Sequence, residues 1–236
     1  MLITGAAQRM GAYFAQSAHA DGYNIVLHYR HSFEQTQVLQ SQLNDIRANS
    51  CISVQADFNK KQDFNEILDM INSHFKRLDV LVNNASEFFS TKPEETSIND
   101  YDRLFNSNVK GPFFLSKTCY PLLKKSHGTI INLVDIHADK PLKNYPVYSM
   151  AKAANKMMVK ALAKEFAPEI RVNGISPGYI QIPIDGKELK PEILDRIALN
   201  KKGDTKNIYH SIKYLIENDY ITGQVINIDG GRSLSM

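Results

Sequence analysis

The chain has 236 residues, 43% hydrophobic and 22% charged, enough to bury a sizeable core, and its length favours one α/β domain over two small ones. Its net charge of +3 is scattered rather than gathered into the basic stripe that nucleic acid wants. No apolar run approaches the roughly 18 residues of a membrane span and no signal peptide is legible, so a soluble cytoplasmic protein is expected.

The first apolar run, MLIT (1–4), leaves only four residues before Gly5, so its strand is expected to be short unless the chain extends further upstream. ITGAAQRMG then leads into RMGAYFAQSAHADG, which puts Met10, Tyr13, Phe14 and Ala18 on one face at helical spacing and stops at Gly22. Unpaired N–H groups at the start of such a helix, aided by its dipole, suit a dinucleotide pyrophosphate. Gly5 would permit the tight turn and Gly11 the close packing of helix on strand. Arg9 would add a cation above the phosphates that also reaches an anionic or oxo group on a substrate. A bland turn and a solvated arginine are the alternatives.

The second run, NIVLHY (24–29), ends in HYRHS (28–32). Dinucleotide folds that select NAD place an acid there, whereas the next acid in this chain is Glu34. Arg30, His31 and Ser32 offer donors to a 2′-phosphate, and no carboxylate is expected to repel it. Two charge-assisted bonds of ~1.5–3 kcal/mol each would favour NADPH by ~10²-fold or more. A plain surface loop is the alternative.

Five more runs follow: CISVQA (51–56), DVLVNNA (79–85), TIINLV (129–134), RVNGIS (171–176) and QVINID (224–229). Between them FNEILDMINSHF (64–75) and YSMAKAANKMMVKALAKEFA (148–167) have helical periodicity, and the second stops at Pro168. Cys51 and Cys119 fall in a strand and a helix and are expected to be small buried side chains without a disulfide or metal. His137 and Asp139 lack the convergent partners of a metal site. The lysine-rich 187–206 reads as a solvated lid helix. Strands alternating with helices give the α/β class: a doubly wound parallel sheet of about seven strands with helices on both faces, in one domain over 1–236.

Tyr148 and Lys152 stand one helical turn apart and so face the same way. A phenol with its free pKa of ~10 is a poor acid or base at neutral pH, and a nearby ammonium is expected to lower that value. Asp135 precedes this pair.

TGAAQRMG, ADF, NNAS, Tyr148-x3-Lys152, NGISPG and TGQVINIDGG, in this order and spacing, resemble the short-chain dehydrogenase/reductase family over essentially the whole chain. The Gly-x3-Arg-x-Gly loop, HYRHS, NNASEFF and Asp135 are similar to the pteridine reductase branch. The DGGR ending and short late loop are similar to its bacterial dihydromonapterin and dihydrofolate reductases.

The resemblance implies a Rossmann-type domain binding NADPH through Gly5, Arg9, Met10, Gly11, Tyr29, Arg30, His31 and Ser32. It puts Asp57 and Phe58 by the adenine, Asn84 and Ala85 under a ribose, and Pro177 and Gly178 behind the nicotinamide. Lys152 would hold the nicotinamide ribose, and Asn108 would lie in a helix irregularity that holds a proton-relay water. Ser86 would contact both cofactor and substrate, Phe88 would stack on a flat ring, and Tyr145 would line the same pocket. Residues 179–205 would form the substrate loop, and helices 109–125 and 147–167 would build a homotetramer.

Two positions depart from the wider family, which usually has glycine at Arg9 and serine at Asp135. The serine donates to the oxygen that turns negative in carbonyl reduction. An ionised aspartate only accepts and would repel that oxygen. Asp135 therefore points to hydride transfer onto a C=N bond, in a heterocycle whose N–H groups a carboxylate can accept. A dihydropterin such as dihydromonapterin or dihydrobiopterin fits, with dihydrofolate as a slower substrate. The catalytic set would be Asp135, Tyr148, Lys152 and Asn108. A ketone or 3-ketoacyl reductase and an inactive NADPH-binding subunit stay open as alternatives.

Overall fold

A computed structural model describes residues 1–59, 64–180 and 191–235, the side chains of 191 and 192 excepted. The strands are β1 (Leu2–Ile3), β2 (Ile25–Tyr29), β3 (Cys51–Gln55), β4 (Val80–Asn83), β5 (Thr129–Leu133), β6 (Arg171–Pro177) and β7 (Val225–Ile228). All pair in parallel, in the order β3-β2-β1-β4-β5-β6-β7. The helices are α1 (Arg9–Ala20), α2 (Phe33–Ile46), α3 (Asn65–His74), α4 (Ile98–Phe105), α5 (Gly111–Ser126), α6 (Pro146–Phe166), α7 (Pro191–Leu194) and α8 (Thr205–Glu217). Strand order reverses between β1 and β4, which opens the crevice where ligands bind in such sheets.

Successive strand residues point to opposite faces, and this divides the core in two. Leu2, Val26, Leu81, Ile130 and Val172 face one layer, against Ile67 of α3, Leu115 and Leu123 of α5 and Val159 of α6. Ile3, Leu27, Val82, Ile131 and Ile175 face the other, against Phe14 of α1, Leu39 of α2 and Ile212 of α8. Each such side chain contributes about 1.5–3 kcal/mol on burial. β1 has only two residues, yet both are fully buried, because it lies at the centre of the sheet.

The buried face of α1 differs from the expected one. It consists of Gly11, Phe14, Ala15, Ala18 and His19, while Tyr13 is 37% exposed. The cause is Gly11: a Cβ there would lie 2.2 Å from the Gly5 carbonyl oxygen. The close packing of α1 against the turn after β1 is centred on Gly11, a role the glycine suggests but a count of apolar side chains omits.

The expected lid helix is also corrected. Residues 181–190 lie outside the described residues. From 191 to 204 there is one helical turn, α7, followed by turns. Ile197 is buried, and Gly203 lies so close to Ile180 that a Cβ would come within 2.6 Å of its Cδ1. A capping box between Asp204 and Asn207 then starts α8. Cys51 and Cys119 are buried and unpaired, and burial pushes both thiols up to about 12. Among the described residues no helix is long and apolar enough to cross a membrane.

Candidate active site

All strands run the same way, so the loops after β1 to β7 gather at one edge of the sheet. After β1 the chain turns through Gly5, at φ 62°, where a Cβ would meet Ala85 Cα at 3.1 Å. Thr4 Oγ1 accepts from the N–H groups of Asn84 and Ala85, both at 2.9 Å, and Asn84 Nδ2 donates back to the Thr4 carbonyl at 2.8 Å. No side chain caps the N-terminus of α1, which leaves that helix end suited to an anion. Arg9 stands there at φ 54°, a left-handed backbone that costs a non-glycine residue about 1 kcal/mol or more and explains why glycine is usual in that place. Met10 is half-buried beside it.

His28 supports the turn from below, a role the sequence reading missed. The Gly5 N–H donates to His28 Nδ1 at 3.2 Å, and His28 Nε2 contacts the Ala56 carbonyl at 3.1 Å. Nδ1 accepts, so Nε2 carries the proton and the ring is neutral; burial pulls its pKa to about 4. Phe58 stacks on this ring with centroids 4.6 Å apart and planes 4° apart. Asp57 accepts from the Asn59 N–H at 3.0 Å. Tyr29 is buried, His31 is exposed, and Ser32 accepts a 3.4 Å bond from Gln8.

The expectation that no carboxylate faces Arg30 is overturned. Arg30 pairs with Glu87, 57 residues away. Glu87 also accepts from Arg103 at 2.7 Å and from Asn59 Nδ2 at 2.8 Å, with its side chain only 10% exposed. These donors, Arg30 foremost, hold its carboxyl below the usual range against the cost of burial. Glu87 sits inside the quoted NNASEFF, but nothing in one sequence says that it folds back onto the end of β2.

On the other side of the crevice, Tyr148 donates to Asp135 Oδ2 at 2.7 Å, and Asp135 Oδ1 accepts from the His137 N–H at 2.8 Å. The aspartate thus caps a short 3-10 turn, Ile136–Ala138, and holds the tyrosine with its other oxygen. Lys152 is buried and donates to the Leu133 carbonyl at 2.9 Å; its Nζ lies 5.7 Å from the Tyr148 ring centroid. The expected lowering of the Tyr148 pKa by Lys152 is therefore corrected. Burial and the Asp135 carboxylate raise it well above 10, so the phenol keeps its proton. Lys152 is itself pulled down to about 8 by burial, against an opposing attraction to Asp135.

Asn108 lies in a π-helical turn, Asn106–Lys110, that joins α4 to α5. Its side chain accepts from Ser86 Oγ at 2.7 Å and donates to the Glu87 and Leu104 carbonyls, and its own carbonyl accepts from Asn155 at 2.7 Å. The ladder continues inward, from Asn132 to Asn155 at 3.0 Å and from Asn83 to Asn132 at 2.8 Å. Asn155 was also missed, although its place three residues after Lys152 puts it on the same face of α6. Phe88, 55% exposed, stacks on Tyr145 at 4.6 Å and meets Tyr148 edge-on at 4.8 Å. Pro177 ends β6, and Gly178 lies against the chain after β7.

A doubly wound parallel sheet with a glycine-turned helix N-terminus at its switch point, beside a buried tyrosine and lysine and a half-buried aspartate, fits the nicotinamide-dependent oxidoreductases. A family profile described as Enoyl-(Acyl carrier protein) reductase matches residues 5–233. The chain belongs to the short-chain dehydrogenase/reductase family. It is similar to pteridine reductase 1 of Leishmania tarentolae, 32% identical over 99% of this chain and 96% of that protein. It is also similar to dihydromonapterin reductase of Klebsiella pneumoniae, 27% identical over 99% and 96%. A 3-oxoacyl-[acyl-carrier-protein] reductase of Staphylococcus epidermidis is 28% identical over 98% and 97%.

Proposed function

We propose that this protein is an NADPH-dependent reductase of a dihydropterin, such as dihydromonapterin or dihydrobiopterin, with dihydrofolate as a slower substrate. The observation that carries this reading is the 2.7 Å bond from Tyr148 to Asp135. A carboxylate beside the phenol supports hydride transfer to C=N over carbonyl reduction, which would want a donor there.

Bound NADPH supplies the hydride, here to a ring C=N. Gly5, Gly11 and the uncapped start of α1 fit its pyrophosphate; His31, Ser32 and Arg30, the last shared with Glu87, fit a 2′-phosphate; Asn84, Ala85, Pro177, Gly178 and Lys152 fit the nicotinamide end. Asp135 accepts from a ring N–H and so orients the substrate. The Tyr148 phenol carries the proton that the ring nitrogen takes up, directly or through a water at the Asn108 turn; because the phenol is a weak acid, it is the strong basicity of the nitrogen left by hydride transfer that draws the proton across. Arg9, Ser86 and the Phe88–Tyr145 stack hold a flat ring, and an added offset stack contributes ~0.5–1.5 kcal/mol.

A homotetramer fits the apolar residues exposed on α5 and α6, among them Phe113, Phe114, Met150 and Met157. Two unpaired thiols suit a reducing cytoplasm. The 28% identity to a 3-oxoacyl reductase keeps ketone reduction as the second reading. The deciding experiment follows NADPH oxidation with dihydromonapterin, dihydrobiopterin and dihydrofolate, and with acetoacetyl-CoA as the carbonyl control. Pterin turnover without ketone turnover is expected. Ketone turnover alone would reverse the assignment, and binding of NADPH without any turnover would favour an inactive subunit.

A further inference from the structure

The carboxyl ends of β5, β6 and β7 lie side by side, since Leu133 is in register with Ile175 and Pro177 with Ile228. Asp135 follows β5 by two residues, and Arg232 opens the 3-10 turn that follows β7. That turn is held by Asp229, which accepts from the Gly231 N–H at 2.9 Å and the Ser233 N–H at 2.8 Å. Its neighbours leave it no slack. A Cβ on Gly178 would come within 2.6 Å of Asp229 Cα, and one on Gly231 within 2.7 Å of Ala198 Cβ. The backbone of Arg232 is thus fixed at the substrate end of the crevice.

The Arg232 side chain is half-buried, and its Nε is shut off from solvent with no hydrogen-bond partner among the described residues. Asp135, Tyr179 and Asp229 favour its charge and Arg196 opposes it, but burial outweighs them and lowers its pKa. The two carboxylates are otherwise engaged: Asp135 by Tyr148 and the His137 N–H, Asp229 by its own turn. An unsatisfied buried donor in a native structure calls for an explanation, an ion or a bound water among them. The dinucleotide's phosphates are too far to serve. The loop that fits them follows β1, and β7 lies four strands away in the sheet order, about 19 Å at the usual spacing of neighbouring strands.

We propose that Arg232, with Arg196 at the exposed rim beside it, forms a subsite for an oxyanion, a carboxylate or phosphate, carried by the substrate away from the carbon that accepts hydride. Guanidinium groups suit both anions through paired N–H bonds. The subsite rests on the reductase reading only in that Asp135 and Tyr148 mark the reacting end of the substrate.

The test measures binding to the NADP⁺-loaded protein of dihydrofolate and a phosphorylated dihydropterin, each against neutral dihydrobiopterin. Wild type should prefer one of the anionic ligands, and which one identifies the source of the anion. Arg232→Gln should cut that anionic-to-neutral affinity ratio by about tenfold or more. Arg232→Lys should keep much of it, and Arg196→Gln should lower it less. No anionic preference in wild type, or a ratio unmoved in a folded Arg232→Gln, overturns the subsite. If Arg232→Gln does not fold, Arg196→Gln decides, because its side chain is exposed and an unmoved ratio has no structural excuse. If wild type binds no pterin, the pterin reading falls, and acetoacetate against its neutral ethyl ester puts the same question to Arg232.

Discussion

At the scale of single residues, Asp135 has two functions that one oxygen each performs: Oδ1 caps a turn and Oδ2 holds Tyr148. Asp135→Ser would keep the cap, since serine also caps helices well, but would replace an acceptor of ring N–H groups with a donor to a carbonyl. Dihydropterin turnover is expected to fall by ~10²-fold, with some ketone turnover gained, in the NADPH-oxidation assay. A rise in pterin turnover would show that the carboxylate hinders the reaction. Glu87 gives a second prediction. It neutralises the cation that a 2′-phosphate would use, so Glu87→Gln should free Arg30 and raise the preference for NADPH over NADH. Removing one charge near the phosphate corresponds to about 1 kcal/mol, or fivefold in relative Kd, measured by fluorescence titration of both cofactors. A ratio that falls or stays level would mean that Glu87 serves only to position Arg30.

At the scale of elements, the start of α5 and the loop after β3 meet at Gly111 and Phe58. A Cβ on Gly111 would come within 2.5 Å of Phe58 Cδ2. The phenyl ring has little room to yield, because His28 stacks on it at 4.6 Å and Phe64 packs on it at 5.5 Å. Gly111→Ala should therefore act as an overpacking change that destabilises by about 1–3 kcal/mol. That corresponds to a fall of several degrees in Tm for a chain of this size, read by thermal unfolding. An unchanged Tm would mean that α5 can shift away from the ring. The same contact shows why the helix periodicity did not reveal it: a glycine adds nothing to an amphipathic pattern, yet it sets how closely two elements approach.

For the whole molecule, the neutral His28 ties stability to pH. Its folded pKa of about 4 lies below the free value of 6.5. Between these values the unfolded chain binds a proton that the folded one refuses, so stability is complete above about pH 6.5 and is lost as pH falls toward 4. The gap amounts to roughly 3 kcal/mol. Urea denaturation near neutral pH and near pH 4.5 should show a steeper loss in wild type than in His28→Gln, whose amide can make both hydrogen bonds without titrating. Equal losses in the two proteins would remove His28 as a cause of acid lability.

The order of strands and helices was written in the alternation of apolar runs and amphipathic stretches, because burial on both faces of a parallel sheet demands that pattern locally. Tyr148 and Lys152 were legible for a similar reason, since their spacing along one helix fixes how they face, while Asp135 was legible through the family resemblance, as the position where serine is usual. What the tertiary structure alone decided are encounters between distant segments. Glu87 reaches Arg30 across 57 residues, Gly5 rests on His28, and Arg232 comes round from the end of the chain to the neighbourhood of Asp135. The charge state of Tyr148 belongs here too. The sequence pairs it with Lys152, but burial and the direction of each hydrogen bond give its proton to the bond with Asp135, and those are properties of a packed interior.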